Sequence, residues 1–237
     1  IMEIDPAEIQ RITKLALTAA WLHDIGKANS HYLYKLQPPS DDLTKQGIRH
    51  EVISYYLLSK NKELKDWLNL SKRDHQIVCW AILAHHRKFP DPTIRDIGVI
   101  STPLTIHRSC TDFNDILTTI SQELSLNAPP VFTTDEEIDY KKILITNNAD
   151  ISLYKPDYQK WSNQEKRILI ALKIALMNAD IMGSNENGSQ VVIDYAEKAL
   201  NCCLTVEKLQ QMIDEKLTNP ITKHKTPLRQ FQLDVGN

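Results

Sequence analysis

The amino-acid sequence predicts an all-α fold, and three observations favour it. Six glycines and 7% aromatic residues among 237 positions are few for a protein built on strands and hairpins. Helix-start signals recur along the chain, and apolar residues follow them at helical spacing. A hydrophobic fraction of 42% beside 24% charged residues is ordinary for a globular domain. We therefore expect a helical bundle.

The first half of the chain contains three segments with strong helical signals. Residues 5–8 (DPAE) offer an N-cap, a proline at the first helical position and a capping-box glutamate. This helix should run to about the His23-Asp24 step. A second helix is predicted to begin at or near His50, and a third is predicted to begin after residues 71–74 (SKRD), ahead of an apolar stretch.

The second half contains two further capping-box signatures. Residues 134–137 (TDEE) and 162–165 (SNQE) each predict a helix start. The second signature precedes residues 168–177, which form the most apolar predicted helix, and we expect this helix to be buried and to deliver Asp180 near its C-terminal end. Residues 190–200 and 206–217 are predicted to be closing helices.

Between residues 89 and 156 prolines become frequent, and we interpret this stretch as an insertion near the functional site. A helix is expected there over about residues 112–126, and Val99-Ile100 is the best candidate for a short strand. Residues 218–237 are predicted to form a C-terminal linker tail, so residues 1–217 would make up the folded domain.

Composition and charge exclude several classes of protein. With 28 basic and 30 acidic residues the chain has no global basic field, so any binding of nucleic acid must depend on a local patch or on metal ions. No apolar run approaches about 20 residues, which argues against a membrane span. Four cysteines without a C-x-x-C spacing predict neither a disulfide framework nor a zinc knuckle, and they favour a reducing, cytoplasmic setting.

Several potential metal ligands stand in separate stretches of the chain. His23-Asp24 supplies an imidazole and a carboxylate from adjacent positions, and a carboxylate can bridge two cations, which makes Asp24 the natural bridge. The others follow downstream: His50, His85, His86 and Asp180. Such a set predicts a two-metal hydrolytic centre. Ligation rich in imidazole favours transition metals over Mg, which prefers oxygen ligands.

Each of these features alone has a less specific interpretation. An isolated His-Asp or His-His pair is common by chance and is usually a surface feature, whereas their combination in this order favours a metal site. Lys27 follows Asp24 by one helical turn, so its ammonium group is able to neutralise charge on a phosphate; otherwise it is a solvated surface lysine. His75 lies roughly 16 Å along a helix from His86, too far to share a metal, and we expect it at the surface.

Three motifs carry a resemblance to a known family. Residues 22–30 (LHDIGKANS), 49–51 (RHE) and 84–86 (AHH) resemble the HD-superfamily phosphohydrolases, and within them the HD nuclease domains of the CRISPR-associated helicase-nucleases of type I interference. The resemblance covers about residues 15–184. It implies an HD-domain helical bundle over residues 1–217, carrying the insertion at about 89–156. Residues 226–232 (TPLRQFQ) resemble the entry segment of a superfamily 2 helicase, which implies that residues 218–237 lead towards a helicase domain.

The resemblance also implies an activity. Members of this family cut single-stranded DNA with two transition metal ions, Mn, Co, Ni or Fe, and work with a superfamily 2 helicase and an RNA-guided CRISPR surveillance complex. Asp24 and Lys27 would then be catalytic, and the metal ligands would be His23, Asp24, His50, His85, His86 and Asp180. The family usually has one more histidine upstream, and residues 1–22 contain none, which we interpret as a trimmed chain. A nucleotide phosphohydrolase and an inactive docking module remain alternatives.

Overall fold

A computed structural model describes residues 6–36, 48–86, 103–139, 141–143, 148–150 and 157–183. These residues are mostly helical, which confirms the predicted fold class. The elements, in chain order, are α1 (Pro6–Leu22), a 3-10 turn (Ile25–Lys27), α2 (Ser30–Leu36), α3 (His50–Lys60), α4 (Lys62–Leu68), α5 (Lys72–Ala84), β1 (Leu104–Ile106), α6 (Thr111–Glu123), β2 (Glu136–Ile138) and α7 (Asn163–Gly183).

Helices α1 and α5 begin where the sequence predicts. The hydroxyl of Ser71 accepts a hydrogen bond of 3.1 Å from the backbone N–H of Asp74, which caps the N-terminus of α5. The carboxylate of Asp74 in turn accepts from the guanidinium of Arg11 on α1 at 2.5 Å. The start of α5 is therefore tied to the first half of α1.

Helix α5 lies at the centre of the core. All residues from His75 to Ala84 are buried, and α5 packs against both α1 and α3. The prediction that His75 lies at the surface is wrong: its side chain is 8% exposed, and its Nε2 lies 3.0 Å from the carbonyl oxygen of Leu58. An imidazole that pairs with a backbone carbonyl of a neighbouring helix can be buried without an unsatisfied polar atom.

Helices α4 and α6 both end at a residue with left-handed backbone. Asn69 follows α4 with a φ of 45°, and Ser125 follows α6 with a φ of 51°. Helix α6 confirms the helix predicted over about residues 112–126, although it ends at Glu123, because the chain reverses there and the N–H of Leu126 bonds to the carbonyl of Ser121.

Strands β1 and β2 form a two-stranded antiparallel sheet in which Leu104 lies opposite Ile138. The prediction of a helix start at residues 134–137 is wrong, because this segment leads into β2. Asp135 accepts hydrogen bonds from the backbone and hydroxyl of Ser109 and pairs with His107, and Glu136 pairs with Arg108 at 2.7 Å. These contacts to residues 107–109 override a local helix signal.

Helix α7 begins with the predicted capping box. The hydroxyl of Ser162 accepts from the N–H of Glu165 at 3.2 Å, and the Glu165 carboxylate accepts from the N–H of Ser162 at 2.7 Å. The expectation that this helix is buried holds for one of its faces only. One face packs into the core (Ile168, Leu169, Leu172 and Leu176), whereas Ile170 and Ile174 on the other face are about half exposed.

The chain divides into two compact units, residues 1–181 and 182–237. The strand predicted at Val99-Ile100, the closing helices at 190–200 and 206–217, and the tail at 218–237 lie outside the described residues. The domain boundaries at 1–217 and 218–237 and the insertion at 89–156 therefore stay predictions. Among the described helices, none combines the length and the hydropathy that a membrane crossing requires.

Candidate metal centre

Four separate segments bring the predicted site residues together. His23 and Asp24 follow the end of α1, and His50 is the first residue of α3. His85 caps the C-terminus of α5 and is followed by His86. Asp180 lies three residues before the end of α7. Helix ends are suitable places for such ligands because the side chains extend beyond the packed helix faces.

The turn that carries His23 and Asp24 lies directly against the first turn of α3. A Cβ atom on Gly26 would come within 2.2 Å of the carbonyl oxygen of His50 and 2.6 Å of the backbone nitrogen of Ser54. Only glycine allows two backbones to approach so closely. Gly26 in the LHDIGKANS motif therefore places the His-Asp pair next to His50.

The structure arranges six donor residues in two groups of three. His23, Asp24 and Asp180 form one group, and His50, His85 and His86 form the other; within each group one donor atom per residue lies within 4.8 Å of the other two. In the all-histidine group the ring of His85 lies 4.0 Å from that of His86 and 5.6 Å from that of His50, measured between centroids. All six predicted ligands therefore share one cluster.

Both carboxylates of the first group also reach the second group. The Oδ2 of Asp24 lies 3.3 Å from the Nε2 of His23, while its Oδ1 lies 3.2 Å from the Nε2 of His50. The Oδ1 of Asp180 lies 3.8 Å from the Nε2 of His23, while its Oδ2 lies 3.3 Å from the Nε2 of His86. Sequence reasoning assigned the bridging position to Asp24, whereas the geometry places Asp180 in an equivalent position.

Two of the histidines have a defined orientation. The Nδ1 of His23 lies 2.7 Å from the carbonyl oxygen of Ala20, and the Nδ1 of His85 lies 2.5 Å from that of Ile82. Because a carbonyl oxygen only accepts hydrogen bonds, the hydrogen of each ring is assigned to Nδ1. The Nε2 atoms that face the cluster then carry lone pairs, as ligation of a cation requires.

Several buried donor atoms of the cluster lack a hydrogen-bond partner. Within the described part of the chain, this holds for the Nε2 atoms of His23, His50 and His85 and for the Oδ1 of Asp24. Buried polar atoms are nearly always satisfied in proteins, and imidazole nitrogens and carboxylate oxygens are ligands of divalent metal ions. The donor set therefore fits bound divalent cations.

Burial favours the neutral imidazole at two residues of the all-histidine group, His85 and His50. His85 is fully buried, and this burial lowers its pKa to about 4. Burial also lowers the pKa of His50, although the negative charges of Glu51 and Asp24 act in the opposite direction. A neutral imidazole is the form that binds a metal ion.

Lys27 lies at the exposed rim of the cluster. Its Nζ donates a hydrogen bond of 2.5 Å to the Oδ2 of Asp24, and it also lies 5.8 Å from the centre of the Tyr32 ring. Burial opposes the charge of Lys27, but the hydrogen bond and the negative charge of Asp24 outweigh it and raise the pKa of the lysine. Lys27 is therefore a cation beside the donor groups.

Sequence reasoning missed Glu51, which is completely buried beside His50. Its Oε2 lies 3.6 Å from the Nδ1 of His50, and its Oε1 is paired with the Nε of Arg49. The available signal was the RHE string itself, because a glutamate predicted inside an apolar helix needs a partner. The buried His31 and the His107–Asp135 pair belong to neither donor group.

Comparisons with known proteins find similarity in the part of the chain that carries this cluster. The model of the HD domain family matches residues 6–106, which include five of the six clustered residues. Over 242 aligned positions the chain is 28% identical to a protein of Myxococcus xanthus (strain DK1622) whose assigned name is CRISPR-associated nuclease/helicase Cas3. The alignment covers 98% of the chain and 31% of that relative, so the chain spans about a third of its length. No solved structure matches the chain significantly.

The family match and the cluster of donor residues both indicate the same set of residues as a candidate metal site. Imidazole nitrogens and carboxylate oxygens are ligands of divalent metal ions. The matched residues contain the His-Asp pair, His50 and the double histidine of this cluster. Residues 6–106 are therefore similar to the HD domain family, and the chain as a whole is similar to a protein named as a Cas3 nuclease/helicase.

Proposed function

We propose that the chain is a metal-dependent nuclease that hydrolyses phosphodiester bonds of single-stranded DNA. The observation that carries this proposal is the pair of three-residue donor groups connected by the carboxylates of Asp24 and Asp180. One cation would be held by His23, Asp24 and Asp180, and a second by His50, His85 and His86, with Asp24 shared. The imidazole-rich second group favours Mn, Fe, Co or Ni over Mg.

Divalent cations held in this way supply Lewis-acid stabilisation of a phosphoryl oxygen and activate a water molecule for attack on phosphorus. The residues of the chain fix the geometry. Asp24 orients the two donor groups relative to each other, and His23 and His85 are held by the backbone carbonyls that their Nδ1 atoms contact. Lys27 would contribute a positive charge to the phosphate in the transition state, so Asp24 and Lys27 are the proposed catalytic residues.

The cluster has a buried floor and an open rim, which suits a polymeric substrate. The side chains of His85 and His50 are 0% and 11% exposed, whereas those of Asp24 and Lys27 are 33% and 34% exposed. A strand is therefore able to approach Asp24 and Lys27 at the rim, while His85 and His50 lie in the buried floor. A single strand is favoured over a duplex because its backbone bends freely into such a hollow.

The proposed partners follow from the relative that the chain matches. That protein is named as a nuclease/helicase, and the chain corresponds to about a third of it. We propose that the nuclease works with a superfamily 2 helicase domain or subunit, and with an RNA-guided CRISPR surveillance complex that supplies the displaced strand. Such a partner would also compensate for a chain whose net charge of −2 provides no general attraction to DNA.

The test is a digestion assay with the purified chain after loading with Mn²⁺ or Co²⁺. We expect cleavage of circular single-stranded DNA, little cleavage of the matching duplex, and loss of cleavage in Asp24→Asn. Asp135→Asn is the matched control, because Asp135 also contacts a histidine but lies outside the cluster. Phosphate release from a panel of nucleotides with intact DNA would instead identify a nucleotide phosphohydrolase. Absence of bound metal under every loading condition would indicate an inactive docking module.

A further inference from the structure

We propose that Glu51 is the positioning residue of the centre: its buried carboxylate holds the ring of His50 in the orientation that binds metal. The inference rests on the proposed metal centre, and it concerns a residue that contacts a ligand rather than the substrate. Three observations carry it: the way the other histidines are oriented, the position of His50 in its helix, and the surroundings of the Glu51 carboxylate.

His23 and His85 are oriented in the same local way. Each follows a helical turn, and each Nδ1 lies within 2.7 Å of the carbonyl oxygen three residues earlier in the chain. That carbonyl belongs to the end of the preceding helix, where backbone oxygens lack a helical partner. A histidine at a helix C-terminus therefore obtains its orienting acceptor from its own helix.

His50 has no access to such an acceptor. It is the first residue of α3, and Arg49 before it has an extended backbone with φ −71° and ψ 145°. No helical turn precedes it to present a carbonyl oxygen to Nδ1. The N-terminus of a helix exposes N–H groups instead, so the acceptor for this ring must come from a side chain.

Glu51 is the side chain that fills this role. Its Oε2 faces the Nδ1 of His50 at 3.6 Å, a distance for electrostatic attraction rather than a hydrogen bond, while Arg49 pairs with its other oxygen. A lone pair on Nδ1 facing a negative oxygen at this distance is repelled, whereas an N–H is attracted. Asp24 lies 3.2 Å from Nε2 on the other side of the ring, so the two carboxylates compete for the ring hydrogen until a cation takes the lone pair of Nε2. In the metal-loaded chain the hydrogen is then on Nδ1, where the Glu51 carboxylate attracts it and holds the ring.

Glu51 differs from an ordinary acidic residue in the first turn of a helix. Glu63 occupies the corresponding second position of α4, where an acidic side chain interacts favourably with the helix dipole, but Glu63 is exposed. Glu51 is 0% exposed. Because burying a carboxylate is costly, its position needs the specific partners His50 and Arg49. Glu63 thus provides a matched control for the interaction of an acidic side chain with the helix dipole.

The experiment compares the whole chain with its Glu51→Gln and Glu63→Gln variants by calorimetric titration with Co²⁺, together with the visible absorption spectrum of the bound Co²⁺. Removing an outer carboxylate from a ligating histidine typically weakens metal affinity 10- to 100-fold, so we expect this loss for one bound Co²⁺ in Glu51→Gln, with an altered spectrum. Glu63→Gln should match the unsubstituted chain. Equal affinities in all three proteins would overturn the inference.

A second measurement does not depend on the folding of a variant. Nitrogen-15 NMR of the histidine rings in the unsubstituted chain loaded with diamagnetic Zn²⁺ should show the hydrogen of His50 on Nδ1, as for His23 and His85. A hydrogen on the Nε2 of His50 would overturn the inference while leaving the metal centre intact. Failure of the unsubstituted chain to bind Co²⁺ would instead overturn the proposed function, so the two failures are distinguishable.

Discussion

The hydroxyl of Ser54 donates a hydrogen bond of 2.6 Å to the carbonyl oxygen of His23, 31 positions earlier in the chain. The same hydroxyl accepts one of 2.8 Å from the N–H of Gly26. Ser54 lies one turn after His50 on α3, so a single side chain connects the His-Asp turn to the helix that carries the next ligand. The spacing of the two donor groups depends on this connection.

Replacement of Ser54 by alanine is expected to destabilise the fold and to weaken metal binding. The substitution leaves the N–H of Gly26 and the carbonyl of His23 without their partner, at a cost of about 1–3 kcal/mol in the free energy of unfolding. Denaturant unfolding and Mn²⁺ titration measure the two effects. Ser59→Ala is the control, because the hydroxyl of Ser59 on the same helix makes one weak contact of 3.4 Å.

Replacement of Gly26 by alanine is expected to be more damaging than Ser54→Ala. The added Cβ would meet the backbone of α3 at His50 and Ser54, and backbone atoms cannot move aside as a flexible side chain can. Such a clash costs about 3 kcal/mol or more and separates His23 and Asp24 from His50. The Tm of thermal unfolding and the affinity for Co²⁺ should both decrease. A variant with unchanged Co²⁺ affinity would contradict the proposed close approach.

Lys27→Gln is expected to slow DNA cleavage without abolishing metal binding. Loss of one positive donor at the phosphate costs roughly 10²–10³ in kcat by analogy with other preorganised charge-stabilising groups. Kinetics at saturating Mn²⁺, with Mn²⁺ affinity measured separately, distinguish the two effects. Lys62→Gln is the matched control, because Lys62 makes an ion pair of the same length, 2.5 Å, with Asp66, which belongs to neither donor group. Equal rates for both variants would exclude a catalytic role for Lys27.

Removal of metal is expected to lower the stability of the fold. A ligand that binds only the folded state at 100 times its Kd adds about 2.7 kcal/mol, and the buried donor atoms without partners gain the most from it. Differential scanning calorimetry with Mn²⁺ and after chelation should therefore give two different Tm values. Asp24→Asn should show a much smaller difference. A Tm independent of chelator in the unsubstituted chain would be inconsistent with a resident cation.

Acidification is expected to destabilise the fold partly through His75. Burial lowers the pKa of this histidine, so the unfolded chain binds the proton more readily than the folded chain does. The contribution of His75 to stability is thus complete above its unfolded value of about 6.5 and declines as the pH falls below it. His75→Gln should show a shallower loss of unfolding free energy between pH 7.5 and pH 5. Equal slopes in His75→Gln and the unsubstituted chain would refute this role.

The parts of the fold that follow from local chemistry were predicted well. The cap at Ser71 and the capping box of Ser162 and Glu165 depend on residues three positions apart, so the sequence contains both partners. The capping-box signature wrongly predicted a helix start at residues 134–137. There Asp135 and Glu136 pair with residues 26–28 positions earlier, and this partnership is not visible in a local window.

The sequence by itself determined which donors are present and in what order: one His-Asp pair, a histidine, a double histidine and a distant aspartate. Tertiary structure alone decided how they divide into two groups, that Asp180 faces both of them, and that Glu51 is buried behind His50. The reason is physical: a residue type and its spacing define chemistry, whereas distances of 3–4 Å between segments separated by up to 157 positions depend on how helices pack.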